Sequence, residues 1–271
     1  MSHVLTKLAA AGLIGVMAAS CGDAEKRQAE SMFVMAETAA QDGDYVRAVA
    51  LVDSIDSIYP RQVEVRRKAM HLRATAGEQV TLAEIEQNSA VTATLKLSGD
   101  SLQALLAKVD HPLEPYFVAA GSKSIVGENG IEARMAPDGM FYLISSLKQP
   151  KVGHTYVSVS ADGQEARTAE VAYDGERNDR SMGYEVVHYM MPECDSVGAF
   201  IASHPGELTL TYGGGSKPYT TKLDADKAAR IATVWRAAAN ARDQRRAIFE
   251  QQRLQKQLEL NRSHAARTFE E

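Results

Sequence analysis

Between Pro112 and Leu223 the apolar residues fall into short runs with a period near two, and this pattern constrains the fold more than any other feature of the chain. The runs EPYFVAAG, GIEARMA, GMFYLISSL, GHTYVSVSA, YEVVHYMM and ELTLTYGG are rich in β-branched and aromatic residues, which suit a pleated, half-buried surface. Turn signals such as Glu128-Asn129-Gly130, Pro137-Asp138-Gly139 and Ala161-Asp162-Gly163 separate them. Connections this short join antiparallel neighbours, so an antiparallel sheet or small sandwich is expected over 112–223. In GHTYVSVSA the residues Thr155, Val157 and Val159 share one face, with His154, Tyr156 and Ser158 on the other. FYLI at 141–144 is apolar on both sides and reads as the central, covered strand. Val197, Phe200 and Ile201 mark the apolar face of a short helix near 193–203, which makes the neighbouring Cys194 a packed thiol.

The flanking segments are helical, so the fold class is α+β: an N-terminal helical hairpin plus a long helix, a central antiparallel β domain and a long C-terminal helix. In the helical region 24–111, Met32, Met35, Ala36 and Ala39 recur at helical spacing before a turn at Gln41-Asp42-Gly43-Asp44. Val46, Val49, Ala50 and Ile55 resume the stripe until Tyr59-Pro60 stops it, and Pro60 is expected at the first position of a third helix. Gly43, Tyr45, Ala48 and Pro60 resemble the latter part of a tetratricopeptide repeat. One such copy implies a structural helix pair, since a peptide groove needs several stacked repeats. From 224 to 271 there is neither Pro nor Gly, and Ile231, Val234, Trp235, Ala238, Ile248 and Phe249 form a stripe that thins to Leu254, Leu258 and Leu260. That tail is expected as a solvated helix or a weak coiled-coil partner of the N-terminal helices or of another subunit, the last of which would make a homo-oligomer.

The first twenty residues do not belong to this fold. Leu8 to Ala19 is almost wholly apolar and small, follows Lys7 and ends at Ser20-Cys21, as in a secretory signal peptide too short to stay as a bilayer span. Ala18-Ala19-Ser20-Cys21 resembles a bacterial lipobox, which implies a signal peptide over 1–20, lipidation of Cys21 with palmitate-type chains, and a lipid-anchored N-terminus at 21–23. With the lipobox, the G-D-Y turn at Gly43 to Tyr45, the I-D-S-I-Y-P ending at Ile55 to Pro60 and the D-G-x-x-N loop at Asp174 to Asn178, the chain resembles the envelope lipoproteins of Bacteroidetes-type bacteria. The resemblance implies a membrane partner through the lipid anchor and a cell-envelope location, in the outer membrane with a periplasmic or surface-facing body. It implies no activity. Only two cysteines occur, so lipidation of Cys21 leaves Cys194 without a disulfide partner in the chain.

The formal charge of −5 and the absence of a concentrated basic block exclude a nucleic-acid partner of the ordinary electrostatic kind. The segment DGERNDRSMGYE is the densest in side-chain donors and acceptors, and Asp174, Glu176, Arg177, Asn178, Asp179 and Arg180 form the candidate recognition loop. Asp174, Glu176, Asn178 and Glu185 have the spacing of EF-hand ligands, but Asp179 stands where the loop needs Gly, and Arg177 and Arg180 oppose a cation. No metal site and no cofactor are expected. The histidines are isolated from one another, with His154 and His188 able to pair with a carboxylate only across strands. There is no G-x-S-x-G elbow, and Gly213-Gly214-Gly215-Ser216-Lys217 runs into Pro218, so it reads as a turn and not a phosphate loop. Glu84 with Glu86, and Glu193 with Asp195, are spaced to diverge on helices. No catalytic residue is therefore assigned. The expected function is a non-catalytic binding or assembly protein of the envelope with a protein or glycan partner. The alternative is an envelope hydrolase acting on glycan or peptide with scattered carboxylates or histidines.

Overall fold

A computed structural model describes residues 5–215 and 217–269, with side chains for 22–215 and 217–268. The Cys21 side chain and Ser216 of the glycine turn lie outside these described residues, as does Met1 to Val4 of the signal segment. The chain is α+β. In order, its elements are α1 (Leu5–Gln41), α2 (Tyr45–Ile58), α3 (Val63–Gln103), β1 (Leu106–Val109), β2 (Tyr116–Ala119), β3 (Gly130–Met135), β4 (Phe141–Leu147), β5 (Tyr156–Ala161), β6 (Gln164–Arg167), β7 (Asn178–Asp179), β8 (Glu185–Met190), α4 (Asp195–Ser203), β9 (Leu208–Gly213), β10 (Tyr219–Leu223) and α5 (Ala225–Phe269). They divide into two compact units, Met1–Val91 with Ala247–Glu271, and Thr92–Arg246. Among the described residues no helix is long and apolar enough to cross a membrane.

The first unit is helical. Gly43 turns the chain with φ +81°, and the Asp44 side chain caps α2 by accepting the Arg47 N–H at 3.1 Å. Ala29 and Ala36 of α1, Val52 and Ile55 of α2 and Val65 and Ala69 of α3 form its core. Alanines at these positions let the helices approach closely, so a thin apolar stripe suffices. Contrary to the expectation from its place after Tyr59, Pro60 does not open α3, which begins at Val63. The chain makes a turn at Tyr59 to Gln62, with Gln62 N–H on the Tyr59 carbonyl, and the helical ladder starts where Arg66 N–H reaches the Gln62 carbonyl at 3.0 Å. The C-terminal part of α5 in this unit runs antiparallel to α3. Its seam is polar: Asn88 Nδ2 donates to the Ala247 carbonyl (3.0 Å) and to Gln251 (2.9 Å), and Asn261 Nδ2 donates to Thr81 Oγ1 (3.2 Å). Gly77 leaves the room for Asn261, since a Cβ there would lie 3.3 Å from the Asn261 amide nitrogen. Paired amides of this kind specify one register at some cost in stability.

The second unit contains two antiparallel sheets, one in the order β1-β2-β3-β4-β8-β7 and the other β10-β9-β5-β6. The expected central strand, β4, has β3 on one side and β8 on the other, and Phe141, Leu143, Ile144 and Leu147 are fully buried in it. One core joins Phe141, Leu143 and Tyr189 of the first sheet to Val157, Leu210 and Tyr212 of the second, with Ile201 and Ile231 from the helices. Asp162 (φ +50°) and Gly163 (φ +76°) supply the two left-handed residues of the β5–β6 turn. Four strands do not stand out in the sequence: β1, β6, β7 and β10 are short, and each lies at an edge of its sheet. Edge strands need no double-sided apolar pattern, so no alternation marks them. β1 falls inside the 24–111 segment read as helical, because its four residues LAKV are too few to show a period.

Phe141 fills the space beneath α4 and Trp235, where even a Cβ on Gly198 would meet the Phe141 ring at 2.9 Å. Phe141→Ala should lower unfolding free energy by about 3–5 kcal/mol, whereas Ile248→Ser on the exposed face of α5 should change it by about 0.5 kcal/mol or less, both read from urea unfolding curves.

Candidate functional site

Two buried polar residues of the β unit, Ser145 and His154, are strung onto one carboxylate, Glu185. Glu185, on the inward face of β8, accepts the backbone N–H groups of Val152 (2.8 Å) and Gly153 (2.7 Å) on one oxygen. Its other oxygen takes the His154 N–H (3.0 Å) and lies 2.7 Å from His154 Nδ1. His154 Nε2 is in turn 2.7 Å from Ser145 Oγ, which sits 3.5 Å from the Tyr189 hydroxyl. Ser145 and His154 are 0% exposed and Glu185 is 2% exposed. Burial alone would raise the Glu185 pKa, but the hydrogen bonds from His154 and from the Gly153 and His154 amides prevail and hold it at about 2. The nucleophile, base and carboxylate stand in the order of an acyl-transfer triad. Their chemistry is nevertheless closed to a substrate, because no member reaches solvent and Ser145 lies in the middle of a central strand.

His188 is not part of this array. Alternation along β8 puts Val187 and Tyr189 in the inner core and Val186 on the outer face with Ile144, so His188 lies on the side of the sheet away from His154. Burial lowers its pKa, and the guanidinium groups of Arg134 and Arg177 lower it further. The carboxylate that His154 meets across the strands is Glu185, without His188, and in the sequence that residue stood out only by its spacing as a twelfth loop ligand. Among the described residues no group of three or more His, Cys, Asp or Glu side chains could hold a metal ion.

The candidate recognition loop is largely self-contained. Asp174 Oδ1 accepts the N–H groups of Asn178 and Glu176, both at 2.9 Å, and these bonds hold its carboxyl below the usual range. Asn178 is fully buried and donates to the carbonyls of His154 (3.1 Å) and Val171 (2.8 Å). Arg177 is committed to the His188 carbonyl and to Glu193. Asp179 accepts from Ser181, while Arg180 lies over the Tyr173 ring at 4.9 Å. Asp174 and Glu176 are the exposed members of the set, and of these Asp174 is already engaged by the two loop N–H groups. Cys194 is buried, donates to the Tyr189 carbonyl, and has its thiol pushed up to about 12 by that burial.

The accessible concave site lies elsewhere in the unit, where β2 and β3 part. β1 and β2 are joined over four residue pairs and β3 and β4 over six, but β2 meets β3 only at Phe117↔Met135. Beyond that pair a groove of about 500 Å³ opens, floored by Val118, Ile131 and Ala133 and walled by Ile231 and Val234 of α5. Its volume falls within the usual range for ligand pockets. The connection from β2 to β3 is pinned on both sides of the groove. Ile125 N–H donates to Glu132 (2.6 Å), Gly127 N–H to Ser146 Oγ (3.1 Å), and Arg230 to the Gly121 carbonyl. Glu132 also holds Arg134 at 2.5 Å, and that guanidinium lies 4.1 Å over the Tyr116 ring at the groove's edge. Sequence reasoning missed this site because its apolar residues belong to four separate elements, β1, β2, β3 and α5, and to the connection between β2 and β3. The one signal was the long turn-rich stretch after Ala120, which joins two antiparallel neighbours with far more residues than a hairpin needs.

No protein-family model, no curated protein and no solved structure matches the chain. The functional reading therefore rests on the geometry and the sequence alone.

The Glu185 cradle makes the β unit sensitive to acid. Its pKa is depressed from an ordinary 4.5 to about 2. The stability it contributes is therefore fully present above about pH 4.5 and is lost as pH falls from there through about pH 2. Glu185→Gln should flatten that part of the stability profile and cost about 3 kcal/mol at neutral pH, measured by urea unfolding between pH 2 and 7.

Proposed function

We propose that the chain is a lipid-anchored protein of the cell envelope whose β unit binds a partner and does not transform it. The observation that carries the binding half is the open groove between β2 and β3, with an apolar floor and braced walls, next to no array of reactive side chains. Among the described residues, the array with the chemistry of a hydrolase, Ser145–His154–Glu185, is sealed inside the core and braces the segment that leads into β5. That geometry favours a binding or assembly role over the hydrolase alternative. The anchoring half rests on Leu8 to Ala19 and the Ala18-Ala19-Ser20-Cys21 motif. More than one acyl chain on Cys21 would give stable attachment.

Two measurements test the reading. Cells fed a clickable palmitate analogue should label the native chain and leave Cys21→Ala unlabelled and released from the membrane fraction; equal labelling of both would refute the anchor. Co-purification from detergent-solubilised membranes should recover a partner with native chain and lose it with Ser124→Trp, which fills the exposed lip of the groove. A partner retained by Ser124→Trp would refute the groove as the binding site.

A further inference from the structure

We infer that the groove takes an extended polypeptide segment, which adds as a strand along the open edge of β3. This rests on the reading of the groove as the binding site and names the chemistry of its ligand.

The argument begins with backbone hydrogen bonds. In an antiparallel sheet successive residues direct their N–H and C=O groups alternately to one neighbour and the other. β3 is fully paired with β4 from Gly130↔Ser146 to Met135↔Phe141, but toward β2 it has only the Met135 pair. Alternate residues between Gly130 and Arg134 therefore turn their backbone groups toward the gap, with no strand to meet them. β2 cannot close the gap, because it follows β1, and the Ala120 N–H continues that pairing onto the Leu105 carbonyl. An edge of this kind is a template for another chain, and main-chain pairing supplies affinity while side-chain pockets supply selectivity.

The walls suit the same occupant. Side chains of a strand alternate between its two faces. One set would face α5, where Lys227 and Arg230 are exposed above the buried Ile231 and Val234, and the other would face the half-buried Tyr116 on the outer side. The opening accommodates roughly three to four residues at about 3.3 Å each.

Charge argues against other ligands. Glu132 is spent on Arg134 and the Ile125 N–H, and Asp224 lies 3.5 Å from Lys227. What remains at the mouth is balanced, with Lys123 and Arg230 against Glu128 and Asp226. A phosphate, a nucleic acid or an anionic lipid headgroup needs a field of one sign, whereas a peptide carries both signs.

The test uses the full chain in detergent with three probes: a random nonapeptide phage library, a panel of neutral oligosaccharides, and phosphatidylethanolamine–phosphatidylglycerol vesicles. Selected peptides with alternating apolar residues should bind, measured by fluorescence anisotropy. N-methylation of alternate peptide amides should weaken them roughly tenfold or more, the loss of one to two backbone hydrogen bonds. Ser124→Trp and Ser122→Trp, each checked for an unchanged thermal midpoint, should weaken them similarly, and the backbone amides of residues 131–134 should gain hydrogen-exchange protection. Peptide binding that is indifferent to N-methylation overturns strand addition. An oligosaccharide or vesicle that binds and is displaced by the two tryptophan variants overturns the peptide while leaving the groove as the binding site. No groove-dependent binding by any probe overturns both.

Discussion

Glu185 carries its charge in the interior of the β unit, and the path of the chain from one sheet to the other depends on how that charge is satisfied. Four donors surround it: three consecutive backbone N–H groups at 152–154 and the ring of His154. A buried carboxylate without such partners would be expelled or protonated. With them, it clamps the segment that leaves the first sheet after β4 and enters the second at β5. Asn178 reinforces the same segment by donating to the His154 carbonyl, and Tyr212 of the second sheet donates to the Ser146 carbonyl of the first at 3.1 Å. The polar centre and the apolar core thus hold the sheets together by different means. The core supplies most of the free energy, and the carboxylate selects one path of the chain between the sheets.

This use of Glu185 and Asn178 ties the loop around Asp174 to the strands beside it. A loop rich in Asp, Glu, Asn and Arg invites a reading as a ligand or metal site. Here most of those groups answer the loop's own backbone or the strands beside it, and the two most buried of the wider segment serve the 152–154 turn. Polar density in a sequence reports the number of hydrogen-bonding groups and not the direction in which they point.

The groove has the opposite origin. It exists because β2 keeps its pairing with β1 and leaves β3, so the sheet parts between two strands that are each well paired on their far sides. The bracing of residues 121–129 by Glu132, Ser146 and Arg230 keeps the parting from collapsing. A preformed opening of this sort costs little ordering on binding, which is the physical basis for assigning recognition to it.

The sequence by itself determined the α+β class, the helical flanks, the central place of β4 and the packed state of Cys194. Each follows from local periodicity or from a double-sided apolar run such as FYLI, and neither needs knowledge of distant neighbours. It could not reveal the edge strands β1, β6, β7 and β10, whose residues are buried on one side at most. Nor could it show that Ser145, His154 and Glu185 meet, or that His188 faces away. Those facts depend on which strands are adjacent and in what register, and a shift of one residue reverses every side chain on a strand. The β2–β3 groove was likewise decided only in three dimensions, because it is defined by pairing that stops, and an unmade hydrogen bond leaves no trace in the order of amino acids.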